Sequence, residues 1–124
     1  MRKILFSKWL PALLTMAVIF WFSSQSSSEL PHFGLADRII KKAGHVFEYA
    51  VLSFWLWYAL EFRSERVWYA WLIAFLFAAT DEVHQSFVPG RTPSVWDVLI
   101  FDNIGALISL WITKLHLNKN DQPR

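Results

Sequence analysis

The chain contains no cysteine, which excludes disulfides, thiol catalysis and cysteine-ligated metals. Charge is also scarce, at 18% of 124 residues, and it nets only +2. The Lys and Arg behind that excess sit near the ends and in short connectors, with no basic patch on a folded face, so nucleic acid is not an expected partner. No H-E-x-x-H or comparable metal signature is present, and no internal repeat of the transporter kind is visible. No small-x-small cleavage site follows the first apolar run, which ends in Trp21 and Phe22.

What the chain has in excess is apolar surface. Hydrophobic residues make up 55% of it, with eight Trp and eleven Phe. A soluble domain this small buries too little surface to hide so many rings. The apolar residues cluster in runs of roughly twenty, the length that crosses a bilayer, and not in the narrow stripe of a surface helix. The expected fold is all-α: one integral membrane domain over residues 1–124, a four-helix bundle with spans at about 5–22, 43–60, 67–88 and 95–117. Met1, Arg2 and Lys3 ahead of an apolar stretch also fit a secretory signal peptide, but the missing cleavage site favours a retained span.

Counting Lys and Arg sets the expected orientation. Arg2, Lys3, Lys8, Arg63, Arg66, Lys114, Lys119 and Arg124 fall on one side; Arg38, Lys41, Lys42 and Arg91 fall on the other. The expectation is a multi-pass protein of the cell membrane with both termini cytoplasmic. The short charged connector 61–66 predicts an antiparallel hairpin of spans two and three. Aromatics around it (Trp55, Trp57, Tyr58, Trp68, Tyr69, Trp71) read as an inner interfacial belt.

With that orientation, polar residues distant in sequence fall at one outer level: Lys42, His45, Glu48 and Tyr49 from span two, Asp81, Glu82, His84 and Gln85 from span three, Arg91 from the loop, and Asp97 and Asp102 from span four. An ionisable group within a span costs roughly 2.5–3.5 kcal/mol, so several at one level suggest mutual pairing around a polar site. His45 and Glu48 share a helix face, as a general base with its carboxylate or a metal half-site would, or as an interfacial ion pair would. Asp81, His84 and Gln85 share another face, with Glu82 beside it. With His45 and Asp97 these offer ligands to a divalent metal, an acid–base pair, or an ion-paired cap on Arg91. Arg91, in a Pro-Gly-Arg turn, presents a rigid fork suited to phosphate or carboxylate, or to bulk headgroups.

These residues resemble the VanZ-like family of small bacterial membrane proteins, named for an accessory protein of teicoplanin resistance. The likeness rests on Phe22-Ser23-Ser24-Gln25; on Lys42, His45, Glu48 and Tyr49; on Asp81, Glu82, Gln85, Phe87, Pro89, Gly90 and Arg91; and on Asp97, Asp102 and Gly105. The third group, D-E-x-x-Q-x-F-x-P-G-R, is the specific one. One departure concerns the last span. The family's two acidic positions stand four apart, whereas Phe101 makes the gap from Asp97 to Asp102 five. On a regular helix the extra residue turns Asp102 by about 100°. Either a π-bulge absorbs it or Asp102 and Gly105 face elsewhere. The resemblance implies a helical membrane domain and a link to reduced susceptibility to a lipoglycopeptide antibiotic; it assigns no reaction.

Two classes of function remain open at this point. One is binding of an anionic envelope component, such as a lipid headgroup, a cell-wall precursor or a lipoglycopeptide-type molecule, with Arg91, Lys42 and His45 as main contacts. The other is an intramembrane enzyme with His45 or His84 as base and Asp81, Glu82 or Glu48 as acid or ligand. Metal, cofactor and oligomeric state are left unassigned, and membrane lipids are the expected surroundings.

Overall fold

The computed structural model describes residues 2–25, 34–91 and 94–121. Within them every regular element is helical: α1 (Arg2–Ser23), α2 (Leu35–Ala59), α3 (Val67–Gln85) and α4 (Asn103–Asn120). A 3-10 turn (Ser64–Arg66) precedes α3, and a π-helical turn (Asp97–Asp102) runs straight into α4. The expected all-α four-helix bundle is what forms.

Counting the π turn with α4, four helix ends lie three or more residues from the sequence-based spans: α1 starts at Arg2, α2 at Leu35, α3 stops at Gln85 and α4 runs to Asn120. α2 starts at Leu35 because Gly34, at φ 66°, turns the chain into the helix there. The helix begins eight residues before the expected apolar span, so two polar-rich turns precede the apolar part. α3 stops at Gln85, short of residue 88. The N–H groups of Phe87 and Val88 donate to His84 and Gln85 carbonyls at 3.0 and 3.1 Å, the tighter three-residue pattern that closes a helix.

The connector between α2 and α3 is built as a Schellman turn. Glu61 N–H donates to Tyr58 O and Phe62 N–H to Trp57 O, both at 2.9 Å. The Phe62 ring packs edge-on to Trp57 at 5.7 Å. Neither turn residue is glycine, yet Glu61 and Phe62 take φ values of 65° and 52°. Trp57 is buried and donates its indole N–H to Arg63 O at 2.9 Å, so it belongs to the core and not to the expected belt. Tyr58, Trp68 and Tyr69 are exposed as a belt requires.

α2 is the hub, packing on α1, α3 and most extensively on α4. Its Tyr49, Leu52, Ser53 and Leu56 are fully buried. α3 meets the core through Ala70, Ala74 and Ala78, a four-residue repeat of small side chains that lets backbones approach. The end of α1 meets the last turns of α3 through Ser23–Asp81, and Lys42, two turns into α2, meets the start of the π turn at Asp97. At the other end Lys8 ties α1 to Glu61 at 2.5 Å.

Polarity runs opposite to that of a soluble bundle. Leu13, Leu14 and Val18 on α1 and Leu107, Ile108, Trp111 and Ile112 on α4 are exposed, while Asp81, Glu82, Gln85 and Asp102 are buried. Two stretches, Phe6–Ser23 and Asp97–Asn120, are long and apolar enough to cross a membrane. Hydrocarbon outside and hydrogen-bonded polar groups inside is the arrangement a bilayer favours.

Candidate functional site

The polar level is assembled from two seams and one loop. In the α1–α3 seam, the Ser23 hydroxyl donates to Asp81 Oδ2 at 2.6 Å. The Gln85 amide donates to the same carboxylate oxygen at 3.1 Å and to Ser23 Oγ at 3.2 Å. All three groups are buried. One turn along, Ser24 Oγ and His84 Nε2 share a hydrogen bond of 3.0 Å, and the imidazole stacks on Phe20 with centroids 4.0 Å apart. The Asp81/His84/Gln85 face predicted from spacing therefore exists, but its partner is the end of α1.

The loop after α3 is fixed at both sides. Pro89 and Gly90 occupy the centre of a turn in which Arg91 N–H donates to Val88 O at 3.2 Å. Gly90 sits at φ 77°, the value a type II turn demands at its third position. This turn aims Arg91 back at α1. Its Nε and Nη2 donate to Gln25 O and Phe22 O, each at 2.7 Å. Carbonyls at a helix C-terminus lack intrahelical donors and carry the negative end of the dipole, so a guanidinium there satisfies both needs. Of the alternatives left open for these acids, an ion-paired cap of Asp81 or Glu82 on Arg91 is not what forms among the described residues. Glu82 instead accepts the Ser94 backbone N–H, capping the start of the last helix from a neighbouring element.

The α2–α4 seam joins two parallel helices by successive rungs. Lys42 Nζ lies 3.4 Å from Asp97 Oδ1 and 4.2 Å from the Phe101 ring centroid, a cation–π position. One turn deeper, His45 Nδ1 meets Asp102 Oδ1 at 2.9 Å, with Asp102 only 3% exposed. Deeper still, a methyl placed on Gly105 would lie 2.2 Å from Val46 O, so only glycine permits this approach. The residues from Asp97 to Asp102 form the π turn, and Asn103 N–H donates to Val98 O across five residues. The extra residue is thus absorbed as one wide turn. Asp102 and Gly105 keep the α2-facing register, which resolves the two alternatives set by the five-residue gap. π turns inside α-helices recur at functional sites.

Two polar groups of α2 stand apart from these pairs, the Glu48 carboxylate and the Tyr49 hydroxyl. Among the described residues, the half-buried Glu48 carboxylate makes no hydrogen bond or ion pair, although His45, Asp81, Asp102 and Arg91 lie within electrostatic range. The Tyr49 hydroxyl, Ser53 Oγ and Asp81 Oδ1 are buried with no hydrogen-bond partner. His45, Asp81, Glu82 and Asp97 occupy one level but pair off separately, and no three His, Asp or Glu among the described residues form a group able to hold a metal ion. A shallow crevice between α3 and α4 is lined by Trp71, Ala78, Val98 and Asp102 among others, and of the candidate residues only Asp102 reaches it.

Three contributors escaped sequence reasoning. Ser23 and Ser24 fall in a serine-rich stretch that reads as helix-breaking loop, yet Ser23 is the last residue of α1 and a ligand of Asp81. Asn103 accepts the Trp71 indole N–H at 2.6 Å, carrying polarity one step deeper into the bundle. The available signal was position: two hydroxyls at the end of a span, at the level of several acids from the other spans.

Among known proteins, the family model described as VanZ/LLP1 matches residues 8–117. No curated protein and no solved structure matches the chain. With nearly its whole length covered, the chain belongs to the VanZ/LLP1 family, and it is a membrane protein.

Proposed function

We propose that this VanZ/LLP1 protein is a multi-pass protein of the cell membrane whose extracytoplasmic polar level binds an anionic component of the cell envelope without converting it. The candidate ligands are a lipid headgroup, a cell-wall precursor or a lipoglycopeptide-type molecule, the last in keeping with the resistance link of the family's namesake. All four helices cross the bilayer, both termini are cytoplasmic, and the turn at residues 86–91 faces outward. The observation that carries the binding reading is the pairing-off of the acids and imidazoles: Ser23–Asp81–Gln85, Ser24–His84, Glu82–Ser94, Lys42–Asp97 and His45–Asp102. Each pair commits its side chains to one another, and no three His, Asp or Glu among the described residues gather into one centre.

The anion-facing groups are Lys42 and Arg91. Lys42 is 45% exposed and its contact with Asp97 is long, so it can turn to a phosphate or carboxylate at small cost. Arg91 spends one edge of its guanidinium on α1 and keeps Nη1 for a ligand. The test is equilibrium binding of phosphatidylglycerol to the purified protein. Lys42→Gln should weaken binding about tenfold, and Arg91→Lys, which keeps charge but loses the fork, by less. Unchanged binding in both variants contradicts the proposal.

A second reading, an intramembrane enzyme, draws on one observation. Asp102 holds His45 through Nδ1, the way an orienting carboxylate positions a general base, and leaves Nε2 unoccupied. Lipid extracts from cells with wild type and with His45→Gln separate the readings. A lipid or precursor species that changes only with active His45 favours the enzyme; identical profiles favour binding.

A further inference from the structure

The ammonium of Lys42 is held in a way that an outside ammonium can copy. Its Nζ stands 3.4 Å from Asp97 Oδ1 and 4.2 Å from the centroid of the Phe101 ring. A carboxylate and an aromatic face are the two kinds of group that recognise an ammonium ion. Both come from the π turn, four residues apart, and both reach one atom of α2. The Phe101 ring is half-buried and the Asp97 side chain 23% exposed, so the position is not sealed.

The fit to Lys42 is loose. A charge-assisted N–H···O bond spans about 2.7–2.9 Å, and one turn deeper His45 meets Asp102 at 2.9 Å. Lys42 Nζ stays at 3.4 Å, with 45% of its side chain exposed. An ion pair this long and this wet contributes little. The Lys42 ammonium is tethered to α2 by its own stem, whereas an ammonium arriving on a ligand can approach both groups. When Lys42 turns to a phosphate or carboxylate, as the binding reading requires, Asp97 and Phe101 lose the cation between them. A partly buried carboxylate stripped of its cation is disfavoured. An ammonium entering from the ligand restores that cation and releases Lys42 for the anionic group, so the two exchanges favour one another.

We infer that Asp97 and Phe101 form a subsite for a primary ammonium group, occupied by Lys42 in the ligand-free protein and yielded to the ligand on binding. This rests on the reading of the polar level as an anion site and narrows it: the ligand carries an amine beside its anionic group. Lys42 is then the internal occupant of one subsite and the arm of the other. The wide turn serves more than register, since it sets the Phe101 ring beside the same ammonium as Asp97.

The test measures retention of three probes by the full-length protein in detergent, quantified by mass spectrometry. Phosphatidylglycerol offers an anion alone, dodecylammonium a cation alone, and phosphatidylethanolamine of the same acyl chains both. Wild type should hold phosphatidylethanolamine about fivefold more tightly than phosphatidylglycerol. Asp97→Asn and Phe101→Leu should each bring that ratio close to one. Asp97→Asn keeps the side-chain shape and Phe101→Leu the residue count of the turn, and a loss of folded protein common to both lipids cancels in the ratio. Lys42→Gln should weaken phosphatidylglycerol yet tighten dodecylammonium about fivefold, because the internal competitor is gone. Competition by soluble phosphoethanolamine identifies a water-soluble amine as a sufficient source, and its failure a lipid-borne one; the preference of wild type supports the subsite in both cases. Equal retention of the two lipids by wild type, a preference that survives either substitution, or dodecylammonium held no tighter by Lys42→Gln overturns the inference. If Lys42→Gln still weakens phosphatidylglycerol, the broader anion-binding reading survives that failure; if neither Lys42→Gln nor Arg91→Lys weakens it, the broader reading falls as well.

Discussion

Removing the imidazole of His45 leaves Asp102 buried with no donor, since no other hydrogen bond to that carboxylate exists among the described residues. Breaking one side of a buried pair costs about 3–5 kcal/mol. His45→Ala should therefore be strongly destabilising in thermal melts of the purified protein. A double-mutant cycle with Asp102→Asn should give a coupling of about 1–3 kcal/mol, and additive effects would show that the two do not act as a pair. Lys8 and Glu61 are the contrasting case, a pair at the bundle's other end with both side chains partly exposed. The hydrogen bond and charge of Lys8 hold the Glu61 carboxyl below its ordinary 4.5. A depressed folded-state value adds stability above the unfolded value, and the gain is lost as pH falls through the folded one. The melting difference between wild type and Lys8→Ala should thus be small near neutrality, shrink in salt, and vanish in acid below 4.5.

At the scale of elements, the decisive feature is the π turn. Spacing alone allowed two outcomes for Asp102, because a linear sequence records how many residues separate two acids but not the local width of the helix. The choice is made by packing. Holding Asp102 on His45 and Gly105 against Val46 requires one wide turn between Asp97 and those positions. Deleting Phe101 should convert that turn to regular α-helix with the register intact. The cost should be limited to the cation–π contact with Lys42, about 0.5–1 kcal/mol. Inserting one alanine at the same point should instead unfold the seam; equal damage from both changes would contradict this account. Gly105→Ala should destabilise by about 1–3 kcal/mol or more, since the methyl meets backbone and not a movable side chain. Gly44→Ala, where nothing lies within 4 Å, should be neutral or stabilising. Other local features were legible from residues alone. Pro89-Gly90 announced the turn that aims Arg91, and the short connector announced the hairpin. The destination of Arg91 was not legible, because its acceptors are main-chain carbonyls, which every residue possesses. Ser23 was hidden for a related reason: hydroxyls read as helix breakers until a buried acid is placed opposite them.

The whole molecule is a bundle with its hydrocarbon facing out. Composition announced this, since eight Trp and eleven Phe in 124 residues have nowhere else to go. Convergence of the polar residues also followed from alternating span direction, which brings the last turns of α1 and α3 together and the first turns of α2 to the π turn. Their division into separate pairs did not follow, because pairing depends on side-chain reach across seams. The proposed orientation can be checked directly, as the chain has no native thiol. A cysteine at Phe87, which is 81% exposed, should react with a membrane-impermeant maleimide in intact cells. Cysteines at Ser64 or Asn120 should react only after lysis; the reverse pattern would invert the topology. The central claim is that the polar level holds an envelope molecule and returns it unchanged. Its most direct test is mass spectrometry of the small molecules that co-purify with the protein from native membranes. Wild type should retain one amphiphile bearing an anionic group, enriched well above its share of bulk lipid and chemically identical to the membrane pool, and Lys42→Gln should lose it. Retention of nothing above bulk lipid, or of a molecule altered relative to that pool, would contradict the account.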